Sequence, residues 1–188
     1  MNETRRLFLL SALAGLAGSA SLAFAPALAG AALPVRSATD VLRAVASAQP
    51  ALNYHAAGPA DGRPIVLVRN HGHSIDSFVE VATLLAAQGF QVLLPHLRDA
   101  PPAALGQDLI GFIDALHMPE AVFVGTGQGS AAAAATVQAR RSRVIGLVLA
   151  GADKAPTSVP TIALAGGATP QQIADAAATL VRQGTWRT

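Results

Sequence analysis

The residues 125–130 read Gly-Thr-Gly-Gln-Gly-Ser, between an apolar β-type run, "AVFV", and an alanine-rich run, "AAAAA". A strand that enters a helix through a tight glycine turn suits two chemistries. In a nucleophile elbow, G-x-S-x-G, the glycines permit a sharp turn and the central serine projects its oxygen. In a dinucleotide fingerprint, G-x-G-x-x-G/A, bare backbone admits a pyrophosphate at the helix start. Here the central position is Gly127, which has no side chain, and Ser130 stands where the fingerprint needs Gly or Ala. Asp153, after the following apolar run, could meet a ribose in the second chemistry or serve as an acid in the first.

A second group is "RNHGHSIDSF", residues 69–78, with His71, Gly72, His73, Ser74 and Asp76 close together. A His-x-His pair can hold metal, but zinc requires further ligands and none is suitably spaced, so no metal and no cofactor is expected. The turn is read as one whose backbone N–H groups matter, with His71 bonding the loop. A third group, "PHLRDAPP" (95–102), carries His96, Arg98 and Asp99, read as solvated loop residues with a weak signal for anion binding.

These groups fall at the ends of alternating strand and helix patterns. Apolar runs at 64–68, 90–95, 120–125, 143–151 and 159–167 predict strands. Helical spacing predicts helices over 77–89, 103–117, 130–141 and 170–184. Continuous apolar strands alternating with helices predict an α/β fold, a mostly parallel sheet with helices on both faces. Sites in such sheets lie at the carboxyl ends of the strands. Residues 36–50 are read as a short helix or a linker.

The chain has 188 residues, enough for one domain. Hydrophobic residues make up 52% but aromatics only 4%, so small aliphatic side chains must fill the core. There is no cysteine, which removes disulfides, thiolate nucleophiles and cysteine metal sites. The sequence pI of 9.9 rests on arginine, with Lys154 the one lysine. Two arginines and one glutamate lie within residues 1–29, and the remainder is nearly neutral, without the basic stripe that nucleic acid requires.

The start has an export pattern. Arg5 and Arg6 precede an uncharged run to Val35, and Ala27-Leu28-Ala29 offers a cleavage site before Gly30. "TRRLFL" resembles a twin-arginine signal. The expected organisation is a signal over 1–29, a linker or short helix over 30–50 and a domain over 51–188, in a periplasmic or secreted protein. The alternative is an uncleaved signal serving as membrane anchor.

In order and spacing, residues about 52–167 resemble the α/β-hydrolase family. "NYHAAGPADGRPIVLVRNHG" is similar to its second strand, turn and third strand. "VATLLAAQGFQVLLPHLRDA" is similar to the first helix and next strand. "DLIGFIDALHMPEAVFVGTGQGSAAA" is similar to the helix and strand that lead into the elbow. "RSRVIGLVLAGAD" and "VPTIALAGG" are similar to the two strands that follow. The resemblance implies about six core strands, no lid and a missing last strand. It also implies a degenerate triad. Gly127 takes the serine position, flanked by Thr126 and Gln128, and "GGATPQQ" offers no acid. His96 stands at the usual Pro-Asp position. The loop of the catalytic histidine is expected to be absent, and Asp153 is a possible residual acid.

What the resemblance leaves is an oxyanion pocket at His71, Gly72 and Gln128, suited to a small acyl or anionic ligand. The expected protein is an exported, catalytically impaired relative of carboxylic-ester hydrolases. One alternative is an active hydrolase with Ser74 or Ser130 as displaced nucleophile. Another is a dinucleotide binder through Gly125 to Ser130. A homodimer through an exposed sheet edge is the expected assembly.

Overall fold

A computed structural model describes residues 43–45, 53–69, 76–152 and 158–187, with side chains placed for all but 43–45 and 77. The strands are β1 (Arg43–Val45), β2 (Tyr54–Ala57), β3 (Pro64–Val68), β4 (Gln91–Pro95), β5 (Ala121–Thr126), β6 (Val144–Ala150) and β7 (Thr161–Leu164). The helices are α1 (Asp76–Ala87), α2 (Pro102–Ala115), α3 (Gln128–Arg140) and α4 (Pro170–Gln183), with a single 3-10 turn at Arg141–Arg143. The seven strands form one sheet in the order β1-β2-β4-β3-β5-β6-β7. Pairing is parallel from β4 through β7 and antiparallel between β1 and β2 and between β2 and β4. The α/β class is as the sequence predicts, and the six expected strands all form.

The period of two along each strand divides the core. Ile65 and Leu67 of β3, with Val122 and Val124 of β5, pack on Phe78, Leu85, Ile173 and Leu180 from α1 and α4. Val66, Val68 and Phe123 point the other way, against Leu109 and Ile113 of α2 and Ala132 and Ala133 of α3. Strands apolar on both faces are what a sheet covered on both sides requires. The small residues of α3 have a steric purpose. A Cβ on Gly106 of α2 would stand 2.7–2.8 Å from Ala135, so the two helices meet almost backbone to backbone.

Local chemistry sets the helix limits. Thr169 caps α4 with a full capping box: its hydroxyl accepts from Gln172 N and the Gln172 side chain accepts from Thr169 N. Gly89, at φ +82°, terminates the chain turn after α1.

The short helix or linker expected over 36–50 contains a strand at Arg43–Val45. The remaining positions of that stretch lie outside the described residues. The edge of β2 supplies the partners of β1, pairing Arg43 with Ala56 and Val45 with Tyr54. At the opposite edge β7 pairs with β6 alone among the described residues. Residues 1–42, with the proposed export signal, lie outside the described residues. None of the described helices is long and apolar enough to cross a membrane.

Candidate functional site

The turn between β5 and α3 keeps the elbow shape. Gly127 has φ 52° and ψ −123°, a left-handed conformation that L side chains adopt only under strain. Its N–H donates to the Ala150 carbonyl at 2.9 Å, and its own carbonyl accepts from Ser130 N at 3.1 Å. Gly127 and Gln128 are both exposed at the carboxyl end of the sheet, while Thr126 is half-buried.

The flanking glycines answer a different demand. A Cβ on Gly125 would lie 2.6 Å from the Gly129 carbonyl and from Ser130 Cα. One on Gly129 would lie 2.2 Å from the Val68 carbonyl of β3. Both positions let α3 rest directly on strand backbone. The bare surface of the fingerprint-like run is therefore turned mostly inward, and only its tip faces solvent.

Ser130 sits in the first turn of α3, because the helix begins at Gln128 and not at Ser130 as its apolar run suggests. It is 1% exposed, and its Oγ donates to the Ala150 carbonyl at 3.0 Å. That carbonyl thus accepts from both Gly127 and Ser130 and ties the elbow to β6. A hydroxyl committed to a buried carbonyl is a structural brace. Its burial and this bond weigh against Ser130 as a displaced nucleophile, because a nucleophile must first come within reach of its substrate.

His71, Gly72, His73, Ser74 and Asp153 lie outside the described residues. Among the described residues no group of three or more His, Asp or Glu side chains is placed to hold a metal ion.

The structure also gathers residues that the sequence reading left apart. Arg69, directly after β3, lines a cleft of about 220 Å³ with Arg98, Asp99, Pro102, Leu105 and Gln128. Arg98 grips Asp108 with both ends of its fork, at 2.8 and 3.3 Å. Beside the cleft, the His55 and His96 rings stack with centroids 4.9 Å apart and planes 33° apart. His55 Nδ1 is buried with no hydrogen-bond partner. Burial, and then the charges of His96 and Arg69, push the His55 imidazole below its usual value. The signal that could have found this group was a charged residue at the carboxyl end of a central apolar strand, Arg69 after "PIVLV".

The depressed His55 value has a measurable consequence. Between the folded value and the unfolded value near 6.5, the unfolded chain holds more protons, so stability rises with pH. Stability present above the unfolded value is lost as pH falls through the folded value, and the loss then levels off. Urea titrations at steps from pH 7.5 downward should show this decline in the wild type and a shallower one in His55→Asn. Parallel curves would remove His55 from the account.

No protein-family model and no curated protein matches this sequence. Solved structures do match. A Klebsiella pneumoniae protein assigned as an epoxide hydrolase aligns with a TM-score of 0.51 and 27% identity, over 62% of this chain and 44% of its own. Epoxide hydrolase A of Mycobacterium thermoresistibile gives 0.52 and 21%, over 62% and 40%. An α/β-hydrolase enzyme from the sediment metagenome of the Mar Chica lagoon, Morocco, gives 0.51 and 20%, over 58% and 51%. This chain therefore spans about half or less of the length of these proteins.

Proposed function

Since this chain has the α/β-hydrolase fold, we propose that it is an exported descendant of ester-type hydrolases that binds a small acyl or anionic ligand without turning it over. One observation carries the reading: the elbow is intact in backbone and empty in side chain. Gly127 holds φ 52° and ψ −123° at the tip of a strand–helix turn, where a hydrolase of this type needs its nucleophile. Triad catalysis needs a nucleophile, a base and an orienting acid in mutual reach. Without the first, the backbone donors at the elbow retain a use. The N–H of Gln128, the residue after the tip, is the position that stabilises an oxyanion in an active elbow. The same donor can hold a carboxylate or ester oxygen at rest.

Export is supported by Arg5, Arg6 and the uncharged run that follows them. The dinucleotide reading has less support, because Gly125 and Gly129 are used in packing α3 on β5 and β3. An active hydrolase using Ser74 is the competing reading. Short-chain p-nitrophenyl ester turnover by the purified full chain should stay at the buffer rate. Saturable turnover that disappears in Ser74→Ala would establish the competitor.

A further inference from the structure

We infer that residues 184–187 form a clasp across the amino ends of the central strands, latched on Glu120, which opens as a unit while the sheet stays folded, independently of any ligand at the elbow. Glu120, just before β5, is 3% exposed and is the one buried charged residue among those described. A buried carboxylate without partners is strongly destabilising. Here the partners come from a segment far along the chain. The Arg187 N–H donates to Glu120 Oε1, and Arg187 Nε stands 3.6 Å from Oε2. The same guanidinium donates to the Ser142 carbonyl, just before β6, at 2.7 Å.

The segment reaches that place along one route. After α4 the chain passes Gly184, whose N–H donates to the Leu180 carbonyl at 2.9 Å. A Cβ there would run into the Ile145 side chain of β6. The Trp186 indole then donates to the Val181 carbonyl at 2.9 Å. Arg63, just before β3, donates to that same carbonyl at 3.1 Å and lies 5.3 Å from the centre of the Trp186 ring. Trp186 and Arg187 thus tie together the residues that lead into β3, β5 and β6.

Polar bonds hold this clasp more than burial does. Thr185 and Arg187 are exposed, and Trp186 is half-buried at the margin of the core that α1 and α4 cover. Ile65, Val122 and Leu147 of the strands behind it are fully buried. Segments with few buried apolar contacts open at lower free energy than core strands. Opening here breaks the bonds of Trp186 and Arg187 and leaves the parallel pairing of β3, β5 and β6 in place.

Trp186 is the chain's one tryptophan, so its fluorescence reports on the clasp alone. The test follows the purified full chain in urea by acrylamide quenching of Trp186 and, in parallel, by far-UV circular dichroism. Quenching should rise in a first transition, at lower urea than the loss of dichroism. Arg187→Ala should raise the opening equilibrium by about tenfold or more, as loss of a hydrogen-bonded charge implies, and should move the first transition alone. The Arg187 side chain is 59% exposed, so this variant keeps its fold, which its dichroism in buffer verifies. Glu120→Gln keeps an acceptor for the Arg187 N–H and should fall between wild type and Arg187→Ala. Gln171→Ala, at the other end of α4, should leave the first transition where it is. Coincident transitions in the wild type would overturn the inference, because the segment would then melt only with the sheet. A first transition unmoved in Arg187→Ala would overturn Glu120 as the latch.

Discussion

Gly129→Ala is expected to unfold the protein or to reduce its stability by more than about 3 kcal/mol, beyond the usual range for an overpacked site. The added Cβ would meet the Val68 carbonyl at 2.2 Å and the Arg69 carbonyl carbon at 3.1 Å. The Val68 carbonyl belongs to the last residue of β3, a strand in the middle of the sheet, so it has little room to yield. Relief requires α3 to lift away from β3, which opens the contact of Ala132 and Ala133 with Val66 and Val68. Gly111→Ala is the matched control. Gly111 lies within α2, and its added Cβ meets nothing within 4 Å. There the change should stabilise by up to about 1 kcal/mol through helix propensity alone. Urea midpoints of the two variants should move in opposite directions. A Gly129→Ala variant as stable as the wild type would mean that α3 does not rest on β3 as described.

The second large effect is at Phe123, which is fully buried in β5 between β3 and β6. Its ring fills the face covered by α2 and α3, where most neighbours are alanine, valine or leucine. Phe123→Ala should cost about 3–5 kcal/mol, from lost transfer free energy and the cavity left behind. A typical domain has about 5–15 kcal/mol in all, so the variant should be substantially destabilised at physiological temperature. Denaturant unfolding followed by circular dichroism gives the number. A loss below about 1 kcal/mol, the range of surface changes, would contradict the two-layer packing.

The parts of the fold visible in the sequence were those with a local cause. "PIVLV" and "AVFVG" are too short for helices and too apolar for edges, and both become central strands, β3 and β5. The strand–glycine–helix order at 122–135 marks the elbow in the sequence itself. Boundaries shifted where backbone chemistry overrode side-chain pattern. The run at 159–167 shortens to Thr161–Leu164 because Pro160 lacks an N–H and Gly166 and Gly167 form a turn. The strand β1 had no local signal, since its pairing is supplied by β2.

The cleft was hidden for another reason. Arg69 follows β3, Arg98 and Leu105 lie before and within α2, and Gln128 opens α3, so three separate strand–helix units supply the cleft and only the parallel crossovers bring them together. The His55–His96 stack likewise needs the antiparallel pairing of β2 with β4. Residue types at a strand end can be read from a sequence, but their mutual distances are set by sheet order.

The central claim is an elbow without a nucleophile. It is tested most directly by exposing the purified full chain to a fluorophosphonate, which captures activated serines, and then mapping the peptides by mass spectrometry. The account predicts no labelled serine, with Ser130 shielded by its burial and its bond to Ala150. Stoichiometric labelling at Ser74 or Ser130 would contradict it and would place an active nucleophile outside the elbow.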